Sequence, residues 1–201
     1  MTSAGADGAL VLRDDDPRAD ELRESGWTII AESWGARLEV NESTLERCRE
    51  AVEAAGDAVQ IRELRRADAA DLAQLDALTE QDYPYTPATP HRASTAQQIE
   101  ARLDTGVRAF GAFVDHQLVA TTLIAERDDA WDTDFTAVLP EFRRRGIGAA
   151  VKAASILACV ESGVSAFTTG GAAINAASVA ANQTLGYRIV ERWFSWMPPS
   201  P

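Results

Sequence analysis

Residues 141–152 read EFRRRGIGAAVK. Three arginines in a row run into Gly146-Ile147-Gly148 and then into an apolar, helix-like segment, in a chain of formal net charge −12. A helix N-terminus carries unpaired N–H groups and about half a positive charge. A glycine-rich entry lets those amides approach an oxyanion closely, and arginine adds bidentate pairing. Donors, room and charge coincide here, so the stretch predicts a site for a phosphate or pyrophosphate. Two familiar phosphate patterns do not fit. No Gly-x4-Gly-Lys-Ser/Thr run exists, and Val151 stands where a dinucleotide fingerprint wants a third Gly or Ala.

Working outward, Trp131 to Leu139 alternates like a strand and stops at Pro140. Before it, VRAFGAFV and QLVATTLIAE joined by Asp115-His116 predict a hairpin. Further upstream, Val59 to Leu64 is strand-like. The segment RRADAADLAQLDALTEQDYP places Ala69, Leu72, Leu75 and Leu78 at helical spacing. Three prolines make YPYTPATPH a loop, and Ser94-Thr95 caps a short helix that Gly106 ends. Beyond the arginines, Ala149 to Ser162 predicts a helix and Val164 to Thr169 a strand. Ala172 to Leu185 predicts a helix closed by Gly186, and Tyr187 to Met197 a strand-rich tail. The order β-α-α-β-β-β-α-β-α-β, with a second strand possible in the tail, predicts an α+β (mixed α/β) domain over residues 59–201, with one mostly antiparallel sheet and helices on both faces.

Residues 1–58 form an N-terminal extension. ESGWTIIAESWGARLEV (24–40) resembles TLGYRIVERWFSWMPPS (184–200), with Gly26 on Gly186, Trp27 on Tyr187 and Trp34 on Phe194. This predicts a strand-helix-strand-strand fragment over 9–40, a degenerate half copy of the C-terminal end, followed by a linking helix over 43–56. The extension holds 14 acids against 6 bases, net −8; the remainder holds 17 against 13, net −4. Such an acidic balance argues against nucleic-acid binding. No run of eighteen apolar residues exists and the N-terminus lacks a secretory pattern, so no membrane partner and a cytosolic location are expected. Cys48 and Cys159 lie far apart in helical contexts and predict two buried thiols; no clustered Cys/His set suggests a metal.

Val138-Leu139-Pro140-Glu141-Phe142-Arg143-Arg144-Arg145-Gly146-Ile147-Gly148 resembles the acyl-CoA signature of the GNAT superfamily of N-acetyltransferases, Arg/Gln-x-x-Gly-x-Gly/Ala after a strand. A second landmark, Asn175 then Asn182 then Leu185-Gly186-Tyr187, resembles the family's helix leading into Leu-Gly-aromatic. The resemblance covers roughly residues 59–199. It implies a splayed sheet with acetyl-CoA as co-substrate in the cleft. The pyrophosphate would rest on Arg143, Arg144, Arg145, Gly146, Ile147, Gly148 and Ala149. The pantetheine arm would pair with the backbone of Ala137, Val138 and Leu139, and a free N–H near Val138 would polarise the thioester carbonyl. Asn175 and Asn182 would hydrogen-bond the CoA arm. Many members carry a tyrosine where Asn182 stands, so a phenolic acid at that position is excluded here.

Attack by an amine requires its neutral form, which a general base supplies. Strand 131–139 alternates Asp132, Asp134, Thr136 and Val138 on one face. Asp134 and Asp132, with Glu126 on the neighbouring strand end, are the candidate bases. The acceptor would lie across the cleft on Gln81 to Tyr85 and His91, with Tyr83 and Tyr85 as an aromatic rim. Two functions fit these residues. One is direct acetyl transfer to the primary amine of a small molecule or peptide in a ternary complex; the other is a non-catalytic CoA-binding sensor or partner-binding module. Residues 9–40 are expected to extend the main sheet or to pack on a second chain, and a homodimer is consistent with either function.

Overall fold

The computed structural model describes residues 3–4 and 8–199. The first residues of the N-terminal extension and the last of the proline tail lie outside the described residues. The elements run β1 (Ser3–Ala4), β2 (Leu10–Arg13), α1 (Arg18–Glu24), β3 (Thr28–Glu39), α2 (Glu42–Glu53), β4 (Gln60–Glu63), α3 (Ala69–Thr79), α4 (Ala96–Asp104), β5 (Arg108–Val114), β6 (Gln117–Arg127), β7 (Ala130–Val138), α5 (Ile147–Glu161), β8 (Ala166–Ala172), α6 (Ala176–Thr184) and β9 (Arg188–Met197). Among the described residues these strands form one sheet of order β1-β2-β9-β3-β8-β7-β6-β5-β4. Every neighbouring pair is antiparallel except β7 and β8. The fold is the mixed α+β architecture that the element order predicts.

Apart from Lys152, Ser155 and the terminal Glu161, α5 is apolar all round because it is covered on both sides. Ala150, Val151, Ala153, Ile156 and Cys159 are each 0% exposed, packed between the sheet and α2. On the opposite face α3 buries Leu72 and Leu75 against β6 and β7. The hairpin between β5 and β6 turns on Asp115 (φ 48°) and His116 (φ 68°), both left-handed, which matches the twist of the flanking strands.

The N-terminal segment differs from expectation in two ways. The two strands expected after α1 are a single twelve-residue strand, β3. And, while the segment does extend the main sheet, β3 does so from inside, between β9 and β8. Its Trp34, Ala36 and Leu38 join the main core.

The geometry around β3 and β9 repeats at an offset of 160 residues. Ser33 pairs with Trp193, itself 160 positions on, and the register runs symmetrically away from that pair. Ile30 is the extra residue of a bulge in β3, and Val190 that of a bulge in β9. Trp27 N–H bonds to the Leu22 carbonyl at 2.9 Å, and Tyr187 N–H to the Asn182 carbonyl at 3.1 Å. A local twofold axis therefore passes through the sheet at Ser33, exchanging β2-α1-β3 with β8-α6-β9.

Deleting residues 1–55 removes an interior strand and the helix over α5. The remaining chain, 56–201, is expected to lose its cooperative thermal transition and its monomeric elution. A sigmoidal melt within a few degrees of the full chain would contradict this placement of β3.

Candidate active site

β7 and β8 share three residue pairs, Trp131 with Phe167, Asp132 with Thr168 and Thr133 with Thr169. Past Thr133, β7 continues to Val138 on β6 alone, and β8 continues to Ala172 on β3 alone. The sheet opens into a V along residues 134–138. Leu139 donates its N–H to the Val119 carbonyl of β6 at 2.9 Å. Strand alternation then turns the N–H and C=O of Val138 and Thr136 toward the opened edge. Two of these carbonyls are taken: Arg143 Nε donates to Val138 O at 2.9 Å and the Tyr83 hydroxyl to Thr136 O at 2.6 Å.

The opened edge runs directly into the arginine loop. Pro140–Phe142 makes one tight 3-10 turn, Arg144 takes a left-handed φ of 59°, and Gly146, φ 77°, caps α5. No side chain caps this helix, and a Cβ on Gly146 would meet nothing within 4 Å. The helix start therefore has room at Gly146 and no side-chain acceptor on its first-turn amides. Arg144 and Arg145 are exposed beside them, Arg145 with its guanidinium 5.5 Å from the Phe142 ring centre. Arg143 is held differently from expectation: its guanidinium pairs with Asp82 at 2.5 Å as well as with Val138 O. It joins the arginine loop to the segment around Asp82.

At the apex of the V sits Lys152, the one lysine of the chain, 4% exposed. Its ammonium donates to Asn182 Oδ1 at 2.5 Å and to Thr169 Oγ1 at 3.0 Å, and stands 4.7 Å from the Tyr187 ring centre. Thr169 in turn donates to the Thr133 carbonyl at 3.4 Å. Burial pushes the Lys152 ammonium down to about 7, against a smaller opposing pull from Asp132. Asn182 is 5% exposed and its amide also donates to Ser178 O, so it serves Lys152 and α6, not a ligand arm. Asn175 is likewise occupied, capping α6 through Ser178 N–H at 3.1 Å.

The candidate bases part company. β7 carries a bulge at Asp134, because Leu123 and Ile124 pair with Phe135 and Thr133. The bulge breaks the expected common face. Asp132 turns away from α5 to accept from Thr168 Oγ1 at 2.7 Å, whereas a Cβ on Gly148 of α5 would meet Val138 Cγ2 at 3.1 Å. Asp134 is exposed, opens the splayed stretch and pairs with Arg102 at 2.6 Å. Glu126 lies opposite Trp131 at the hairpin end of β7, roughly 20 Å along the strand from Val138. It is outside the V.

Across the V, residues 80–95 dock on β7. Tyr83 is mostly enclosed and not an open rim; burial raises its phenol above the ordinary range. Its ring stacks on His91 at 4.3 Å, and His91 lies 5.1 Å from Phe135. Tyr85 is 56% exposed. Asp76, Asp82, Arg102 and Lys152 were not singled out in the sequence. Lys152 alone left a signal there, as the single lysine among many arginines on an otherwise apolar helix.

Residues 72–187, more than half of the chain, match the Acetyltransferase (GNAT) family. The chain belongs to that family, whose members are acyltransferases. No curated protein matches the sequence. Among solved structures, a tandem GNAT protein from the clavulanic acid biosynthesis pathway is 20% identical, covers 100% of this chain and 63% of its own, and superposes with a TM-score of 0.65. A GCN5-related N-acetyltransferase from Sphaerobacter thermophilus is 13% identical over 96% of this chain and 62% of its own, with a TM-score of 0.68. A GCN5-related N-acetyltransferase-like protein from Streptococcus suis is 15% identical over 93% and 71%, at 0.63. The chain thus spans less than two thirds of the first two. Among the described residues, no helix is long and apolar enough to cross a membrane.

Lys152 holds its proton more weakly in the fold than in the unfolded chain. The unfolded state therefore binds more protons between about pH 7 and the ordinary lysine value of 10.5, and stability rises with pH across that window. Denaturant unfolding of wild type and Lys152→Met from pH 7 to 10 is expected to show the variant without this rise. Parallel curves would place the ammonium in a less buried setting.

Proposed function

We propose that the chain is an N-acetyltransferase that moves an acetyl group from acetyl-CoA to a primary amine by direct attack in a ternary complex. The observation that carries this is the opened edge of β7 with Val138 N–H turned into the V and leading without a break into an uncapped helix N-terminus. The family match supports acetyl-CoA as donor.

The residues present suit that donor. Arg144, Arg145 and the amides of Gly146 to Ala149 supply charge and donors for the pyrophosphate. The backbone of Ala137 to Leu139 offers a strand edge for the pantetheine amides, and Val138 N–H stabilises the oxyanion that develops on the thioester. A covalent route through cysteine has no support. Cys48 and Cys159 are both buried, and burial pushes each thiol up to about 11. Asp134 is the carboxylate of the three candidates that reaches the opened edge. Its pairing with Arg102 makes it a group that shapes the acceptor's charge environment.

Calorimetry with acetyl-CoA tests the donor site. Wild type is expected to bind, and the Arg144→Ala/Arg145→Ala double variant to lose about 2 kcal/mol or more, the scale of charge-assisted hydrogen bonds. Equal affinity in both would remove the arginine loop from phosphate binding.

A further inference from the structure

Asp76 of α3 is 0% exposed. His91 Nε2 lies 2.7 Å from its Oδ1, and Ser94 N–H donates to its Oδ2 at 2.8 Å. Among the described residues, no arginine or lysine pairs with it. A carboxylate buried this deeply is sustained by hydrogen bonds, and here the imidazole is the side chain that supplies one. With Nε2–H donating to Asp76, the lone pair lies on Nδ1.

The ring is also fixed in position. Tyr83 stacks on it with 30° between the planes, and Phe135 abuts it. Phe135 belongs to the opened stretch of β7, and the Tyr83 hydroxyl holds the carbonyl of Thr136, two residues before Val138. Carboxylate, imidazole and opened strand edge are therefore lined up on the acceptor side of the V. Pinning a proline-rich loop needs only one of these contacts; a carboxylate-oriented imidazole with its second nitrogen turned away from the carboxylate is the arrangement of a proton acceptor.

We propose that His91 is the general base toward the acceptor amine, held in tautomer and orientation by Asp76 as a positioning residue. This rests on the amine acetylation proposed above. The neutral amine attacks the thioester carbon and a C–N bond forms. The C–S bond breaks, and the N–H proton passes to His91 Nδ1. That proton then leaves for the CoA thiolate, giving amide and free thiol with His91 neutral again. The charged groups around the Tyr83–His91 stack are Asp76 from α3, Asp134 on β7 and Arg143 beyond the V. Asp134 and Arg143 are already paired, with Arg102 and Asp82.

The test is thiol release from acetyl-CoA with a fixed amine panel of spermidine, an aminosugar, free amino acids and a short peptide. It is read as kcat against pH, beside calorimetric acetyl-CoA binding. His91→Gln is expected to bind acetyl-CoA within twofold of wild type, lose about 100-fold in kcat, and lose the acidic limb of the wild-type profile. His91→Ala, if the glutamine variant folds poorly, is expected to regain activity with added imidazole. An unchanged limb, wild-type turnover in His91→Gln, or failure of imidazole to rescue a folded His91→Ala would overturn the proposal. So would acetyl-CoA binding by wild type without turnover of any panel amine. Absence of acetyl-CoA binding by wild type would instead remove the donor reading beneath it.

Discussion

Three residue pairs hold β7 to β8, and the molecule is arranged around where that pairing stops. Parallel strands cannot be joined by a tight turn, so the chain must leave β7, cross over one face and return as β8. α5 is that crossover. Its N-terminus consequently arrives at the same end of β7 where the strands part. Free strand amides and free helix amides become neighbours without any side chain being needed to bring them together. The uncapped start of α5 thus lies beside the splay because of the crossover's topology.

The apex of the splay is held by a group that proteins rarely bury. Lys152 reaches Thr169 on β8 and Asn182 on α6, and Thr169 reaches Thr133 on β7. The last paired position is therefore tied to both adjoining helices. A buried ammonium without a carboxylate hydrogen-bonded to it is costly, and the cost is met where the sheet changes from closed to open. On the other side of the V, the Asp82–Arg143 pair ties residues 80–95 to the arginine loop. The two walls of the V are thus joined by an ion pair as well as by the sheet.

Element order and the start of α5 after the arginine loop were legible in the sequence because they depend on local patterning. EFRRRGIG announces its own helix start, and the alternation of β5 to β7 sets their faces up to the bulge. Where contacts are long-range, the sequence was less informative. The bulge at Asp134 has no composition of its own, so Asp132 and Val138 were placed on one face that the strand does not keep. Arg143, Asn175 and Asn182 match the GNAT ligand-binding pattern by resemblance, but their side chains are occupied by Asp82, Ser178 and Lys152. The Asp76–His91 pair joins residues fifteen apart across a proline-rich loop, and nothing periodic connects them. The likeness between 24–40 and 184–200 was visible, yet not that β3 would lie between β8 and β9.

That position of β3 sets a time order on folding. Residues 28–39 can complete their ladders only with 166–172 and 188–197, strands made well over a hundred residues later. During synthesis the early segment must wait with Trp34 and Leu38 unburied until residue 197 has been made. Closure then brings together strands separated by some 150 residues, the kind of non-local pairing that slows folding. The length of time for which this one strand lacks its neighbours is therefore what exposes apolar surface to association in the nascent chain.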